Sequence, residues 1–371
     1  MLELYVNSND SESSGGMLAG SDSNDGLSTD TPTETIAQVI AANLEAIAAE
    51  DKVRINLAYA DNQPIYGSGS ERLDLSSVAF NETLEITAYN LPEDFDLLNP
   101  PDFGETSHTA WTYPLPWVSP IDIGHRTNGE VILTGLQIRD GKSEIFGPNP
   151  FYGVRIAHGN THLVSCRCLY NTYGVFSYSG YATLTNCLMD HNRVGVVAFN
   201  ESLMVFANNV IMNSSEIGLC VTGNARALVV TSPDLSSDSD TKPLSVLEIR
   251  TTEPRKYYTA VKVAHQSQFA LDIDIPGFNP NIRMTGILRI LRESDYDHED
   301  YQGIVLESQS LMAATRNVQF RTPGRQFSNL GISIGGEALT TENVATTEAD
   351  DTIAVHRQFI VASKQGAVAI E

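Results

Sequence analysis

The sequence predicts an all-β chain wound as a right-handed parallel β-helix, with an N-terminal capping helix and a C-terminal β-rich region. Three observations predict it. A glycine–valine pair returns every 21 residues, at Gly153-Val154, Gly174-Val175 and Gly195-Val196. Three further sets keep the same step: Cys166, Cys187 and Asn208; Asn171, Asn192 and Asn213; Leu163, Leu184 and Val205. The text between them is rich in Val, Ser, Thr, Asn and Gly, which suits short strands and frequent turns. A 21-residue unit of this kind is too turn-rich for paired helices and fits one coil of three short strands. Stacked coils lie about 4.8 Å apart, so each register position becomes a ladder. Aliphatic ladders fill the interior. The ladder Asn171, Asn192 and Asn213 belongs at a corner, where amides can bond along the stack and tolerate turn geometry.

The elements follow in order. Residues 1–50 read as a strand, a polar loop and one helix. Thr31, Pro32 and Glu34 suggest an N-cap, a first helical position and a capping box, with Ile36, Val39, Ile40, Leu44 and Ile47 on one stripe behind them. Residues 51–232 alternate with a period of two and form the β-helix proper. Within them, about 91–128 is rich in proline and holds Trp111 and Trp117, and it reads as an excursion from the coils. Residues 233–243 form an acidic loop or linker. Residues 244–371 return to alternation without the 21-residue register, as irregular coils or as a separate β domain.

Composition narrows the function. Basic side chains number 23 and acidic ones 46, for a net charge of −23. That field repels phosphate backbones, so no nucleic-acid partner is expected. It also disfavours acidic polysaccharides unless Arg and Lys are gathered locally. The opening lacks a basic-plus-apolar leader, and no apolar run approaches the roughly 20 residues that span a bilayer. The expectation is a chain made in the host cytoplasm without a signal peptide and not inserted in a membrane.

The regular coils offer one polar group with catalytic residue types, Asp190, His191 and Arg193. Their predicted stack neighbours are Leu169 and Ile211 for Asp190, and Tyr170 and Met212 for His191. One carboxylate among hydrocarbon is not the paired acid and base of a glycosidase. Arg155 and Arg167 add positive charge on nearby coils, or are solvated strand residues. Trp111, Tyr113 and Trp117 can stack on a sugar ring, or can anchor the excursion or a subunit contact. No cofactor is expected, although Asp295, Asp297, Glu299 and Asp300 offer hard oxygen ligands for calcium in an otherwise ordinary acidic loop, as does the tract from Asp22 to Asp30. Cys166, Cys168, Cys187 and Cys220 lack zinc-site spacing and read as small core residues.

Tyr5-Val6, the loop Ser23-Asn24-Asp25-Gly26-Leu27-Ser28, Thr31-Pro32 and the helix to Ile47 resemble the N-terminal cap of pectate-lyase-like β-helix proteins, and the repeats from Gly153 to about Val230 resemble their coils. That superfamily includes many bacteriophage tail spikes and tail fibres. The resemblance covers about two thirds of the chain and speaks for fold more than for activity, because one scaffold serves many chemistries. It implies a structural or receptor-binding component of a virion: a tail spike, fibre or accessory spike, working as a homotrimer with other virion proteins and meeting host surface polysaccharide. Family spikes usually carry an anchoring domain before the cap, and this sequence shows none ahead of Tyr5. The alternative is a polysaccharide depolymerase, lyase or glycoside hydrolase, on the same scaffold.

Overall fold

The computed structural model describes residues 1–7, 16–58, 72–91, 93–99, 115–124, 129–139, 152–230, 245–251, 258–270, 272–273, 284–292, 301–306, 311–314, 318–321, 332–334, 337–338, 345–346, 352–355 and 359–362. They fall into two compact units. The first is Met1–Phe176 with Gly180–Ala182 and Asn186–Leu188, and the second is Ser177–Ser179 and Thr183–Thr185 with the chain from Met189 onward. Both are built from parallel strands turned into coils, and the fold is a right-handed parallel β-helix.

In the first unit three ladders recur. Ladder A runs through Leu2–Val6, Lys52–Leu57, Thr83–Ala88, Glu130–Thr134 and Asn160–Val164, each parallel to the next. Ladder B runs through Trp117–Val118, Gln137–Arg139 and Arg167–Leu169. Ladder C runs through Leu73–Asp74, Ile121–Ile123 and Tyr152–Ala157. Alternation sends one side of each strand inward. Leu4, Ile55, Ile86, Leu133 and Leu163 therefore form one fully buried stack in ladder A. Val118, Ile138 and Cys168 form the matching stack in ladder B. Burying a Leu or Ile side chain contributes about 1.5–3 kcal/mol, so these stacks dominate cohesion between coils.

The second unit repeats the plan. Asn209–Asn213 is part of a long bent strand, Leu203–Thr222, and it pairs with Ser245–Thr251, which pairs with Met284–Arg292 and then Val318–Arg321. A second ladder of this unit runs through Ile217–Val221, Tyr258–Val263, Tyr301–Leu306 and Ile332–Ile334. Parallel pairing thus persists past residue 244, as irregular coils. Antiparallel strands follow: Phe359–Ala362 pairs with Leu311–Ala314, and Thr352–Val355 with Val318–Arg321. The acidic segment 233–243 lies outside the described residues.

Corners are made by side-chain-bearing residues in the left-handed region. His158, Ser179 and Asn200 have φ of 58°, 52° and 52°, and Ser165 and Asn186 have 50° and 52°. Asn and His tolerate this region better than most residues, which accounts for the polar corner text. Two register expectations are corrected here. The left-handed residues beside the asparagine ladder are Tyr170 and His191, one position earlier, with Asn171 and Asn192 buried just past them; Asn213, also buried, has left the register and bonds Asp190. Asn208, expected in step with Cys187, instead takes the left-handed corner of Ser165 and Asn186, because one extra residue has entered the coil. The bonds do run along the stack: Asn171 Nδ2 donates to Ile138 O at 3.5 Å.

The cap departs from the predicted helix. Thr35, not Thr31, is the N-cap, and its hydroxyl accepts from the Gln38 amide at 3.1 Å. Thr31 belongs to the preceding turn with Ser28, and Thr33 bridges Val6 in parallel, so that stretch extends the strand layer. The helix breaks at Asn43 into Ile36–Ala42 and Leu44–Ala49. The Asn43 amide donates to Val39 O and Asp25 O, holding helix and loop together. Ile36, Val39, Ile40 and Ile47 are buried, but the break leaves Leu44 exposed. Asp25 accepts from Thr31 Oγ1 and Leu27 N, and these bonds hold its carboxyl below the ordinary range.

The proline-rich segment is also coil in part, against the expected excursion. Trp117–Val118 and Ile121–Ile123 are ladder strands, with Pro116 and Pro120 at their edges, where a missing N–H costs nothing. Each proline instead gives its carbonyl, Pro116 O to Gln137 N and Pro120 O to Leu73 N. Nearer its start the segment is pinned to the corner at Ser165, whose hydroxyl donates to Phe95 O at 3.0 Å.

The cysteines carry a simple prediction. Cys166, Cys168 and Cys187 are buried, and Cys220 is partly exposed. Burial pushes the Cys166 thiol up to about 12, and burial with the nearby Cys166 and Cys187 raises Cys168 as well. A thiol reagent at neutral pH should modify Cys220 alone in the native protein and all four cysteines in urea. Rapid native reaction of a second cysteine would contradict the buried ladder.

Candidate functional site

The strongest assembly of recognition side chains lies on the outer side of ladder B in the first unit. Trp117 pairs with Gln137, Gln137 with Arg167, and Arg139 with Leu169. Val118, Ile138 and Cys168 point into the core, so by alternation Trp117, Gln137, Arg139, Arg167 and Leu169 face outward. The Arg139 guanidinium sits 4.0 Å from the centre of the Trp117 ring and 5.5 Å from that of Tyr170. Tyr170 stands at the bend just after ladder B and is 38% exposed. Arg167 is 4% exposed and donates from Nη2 to Gln137 Oε1. Trp117 and Arg139 are thus part-exposed and Tyr170 exposed, while Gln137 and Arg167, at 3% and 4% exposed, are covered. Cation–π contact is worth about 0.5–2 kcal/mol, enough to hold Arg139 in place before any ligand arrives.

Trp117 is the one member of the predicted aromatic trio that can be placed. Trp111 and Tyr113 lie outside the described residues. Arg139 and Tyr170 were not legible as site residues, because the coil between Gln137 and Arg167 is longer than the 21-residue repeat and breaks the register that would have aligned them.

The group Asp190, His191 and Arg193 lies in the second unit. Asp190 is buried, and its carboxylate meets polar groups and not the hydrocarbon neighbours expected from a constant register. Asn213 Nδ2 donates to Asp190 Oδ1 at 2.9 Å, and His191 Nδ1 lies 2.6 Å from Asp190 Oδ2. Arg193 Nε pairs with Glu216 Oε2 at 2.5 Å. An imidazole thus lies beside a carboxylate that is itself bonded to a carboxamide, which brings two proton-exchanging groups together. Arg155, the other candidate cation, pairs with Asp122 at 2.8 Å on ladder C, where Tyr152 and Tyr173 also stack at 5.3 Å.

Among the described residues, no group of three or more His, Cys, Asp or Glu is placed to hold a metal ion. The calcium candidates Asp295, Asp297, Glu299 and Asp300 lie outside those residues. Among the described residues no helix is long and apolar enough to cross a membrane.

Comparison with known families bears on the central coils. Residues 123–233 match a family model, Right handed beta helix region. The match spans the coils that carry Arg139, Tyr170, Asp190 and His191, and it supports the pectate-lyase-like superfamily as the setting of this β-helix. No curated protein and no solved structure matches the chain.

Proposed function

We propose that this β-helix is a receptor-binding component of a bacteriophage virion, a tail spike, fibre or accessory spike, that engages host surface polysaccharide through Trp117, Arg139 and Tyr170. The observation that carries the reading is the guanidinium lodged against two rings on an outward strand face. Rings offer a flat apolar surface to the C–H faces of a sugar, and a rigid scaffold keeps them at fixed spacing. Parallel coils provide such a scaffold with one flat side per ladder. In the virion the chain works as a homotrimer beside other virion proteins. The field of its −23 charge keeps nucleic acid away.

A second reading, a polysaccharide depolymerase, is favoured by the His191–Asp190–Asn213 chain of contacts. In that case His191 takes a proton from the substrate while Asp190 holds the ring.

One set of measurements separates the two. Purified capsular and O-antigen polysaccharides are titrated against the chain by calorimetry, and reducing ends are counted after long incubation. Binding to at least one polymer without cleavage, weakened roughly tenfold or more in Trp117→Ala, is the expected result. Cleavage lost in His191→Ala transfers the proposal to the enzyme. Binding that ignores Trp117→Ala removes the platform from it. Light scattering on the same sample should report a trimer, and a stable monomer would count against a spike built from this chain alone.

A further inference from the structure

We infer that the N-terminal cap is a docking surface for an amphipathic helix of another protein, one whose apolar stripe is flanked by Lys and Arg. The inference stands apart from the polysaccharide reading, and neither falls with the other.

Among the described residues the exposed leucines are Leu18, Leu27 and Leu44, at 55%, 50% and 50%, and all three belong to the cap. Bonds within the cap fix them near one another. The Leu18 amide donates to Thr29 O at 2.9 Å, just past Leu27. Asn43 Nδ2 donates to Asp25 O at 2.8 Å, which ties the loop that carries Leu27 to the helix break that exposes Leu44. The helices Ile36–Ala42 and Leu44–Ala49 turn Ile36, Val39, Ile40 and Ile47 inward. Their exposed residues are Ala or Leu throughout, except for Glu45. A helix that is apolar on both faces is ordinarily covered, and exposed apolar surface of this kind marks an interaction site. Alanine on the outer face lets a second helix approach closely. Strand addition is closed at this edge, because the Tyr5 and Asn7 amides donate to Gly26 O and Thr33 O, and Tyr5 O accepts from the Thr33 amide.

Charge chooses the partner. No Lys, Arg or His occurs among residues 1–51. Asp22, Asp25, Asp30 and Glu45 are exposed on the same cap as the leucines. Pairing two copies cap to cap would set carboxylates against carboxylates, and an anionic lipid surface would be repelled likewise. A cationic helix with an apolar stripe satisfies the leucines and the acids together.

The test uses the full chain and three synthetic helical peptides, with Kd read by calorimetry. The first peptide has a Leu stripe flanked by Lys, the second keeps the Lys and has Ser in place of Leu, and the third has the Leu stripe flanked by Glu. The expected result is that the Leu/Lys peptide binds roughly tenfold or more tightly than either of the others. Leu27→Gln combined with Leu44→Gln should weaken that binding roughly tenfold or more, and Glu45→Lys, which touches no buried contact, should weaken it about threefold or more. Unfolding midpoints in urea check that the variants are folded. Equal binding of the Ser/Lys peptide, or binding that ignores the leucine variant, reduces the contact to charge alone and overturns the inference. Equal binding of the Leu/Glu peptide overturns the choice of a cationic partner, and failure of all three peptides to bind overturns the docking surface itself. If the leucine variant lowers the oligomer mass in light scattering, the face belongs to a second copy and the inference falls. Binding to phosphatidylcholine vesicles that is lost in the same variant gives the face to a lipid surface and overturns it as well.

Discussion

Gly195→Ala should lower the free energy of unfolding by about 2–3 kcal/mol, far more than a helix propensity or surface effect. A Cβ on Gly195 would lie 2.5 Å from the Gly218 carbonyl oxygen and 2.9 Å from Ser214 Oγ. The first contact is with backbone of a paired coil, which cannot retreat without stretching ladder hydrogen bonds. Gly218 is no roomier, since its own Cβ would meet Ile249 Cγ2 at 2.3 Å and Ala260 O at 2.6 Å. Gly153 repeats the arrangement, 2.6 Å from Gly174 O and 2.8 Å from Asn171 Nδ2. The repeating glycine is thus a requirement of close approach, where a carbonyl and a buried polar side chain, Asn171 at one coil and Ser214 at another, press on the strand. Gly16 is a control of a different kind. Its φ is +84° and nothing lies within 4 Å of its missing Cβ, so alanine there meets only backbone strain of about 1–2 kcal/mol. Urea melts of both variants decide the matter: if Gly195→Ala costs no more than Gly16→Ala, the close-packed glycine ladder is wrong. Coils contact mainly their neighbours, so the loss should spread as early opening of the central coils and not as uniform weakening.

That glycine was readable from sequence because the central coils are bare. Where a coil carries no insertion, 21 residues return the chain to the same ladder, and Gly153, Gly174 and Gly195 reveal it. Elsewhere the ladder is constant and the spacing is not. Leu4, Ile55, Ile86, Leu133 and Leu163 stack on one another at unequal intervals along the chain. Loop closure costs little for each added residue, so corners accept insertions freely while the stacked strands stay in place. A fixed-period search therefore sees three coils and misses those on either side. The same physics hid the platform. Arg139 reaches Tyr170 only because Gln137 stacks on Arg167 across a lengthened coil, and neither residue looks unusual in its own sequence neighbourhood. Asp190 was misread for a smaller reason. Extra residues enter the coil around Asn208, so Asn213 bonds with Asp190 where a constant register would have placed Ile211. The capping box at Thr31 failed because tertiary strand pairing at Thr33 outweighed a local capping preference.

Glu248→Ala should destabilise the second unit by about 3 kcal/mol. The Glu248 side chain is 8% exposed and lies between Arg250, two positions along its own strand, and Arg289, its direct partner on the next strand. Arg250 Nε bonds one carboxylate oxygen, and Arg289 Nη1 donates to the other at 3.0 Å. Removing the carboxylate leaves two guanidiniums facing each other, with their common acceptor gone. Arg250 and Arg289 are 25% and 38% exposed, so each can turn partly to water, which keeps the loss below that of a fully buried pair. Two further results are expected. Raising the salt should recover part of the loss in the variant, because it screens the repulsion between the two arginines. Adding Arg289→Leu to Glu248→Ala should also recover part of it, giving a coupling energy of about 1 kcal/mol or more in a double-mutant cycle. If Glu248→Ala melts within about 0.5 kcal/mol of the parent, the carboxylate is a passive surface group and the triad does not hold these coils together.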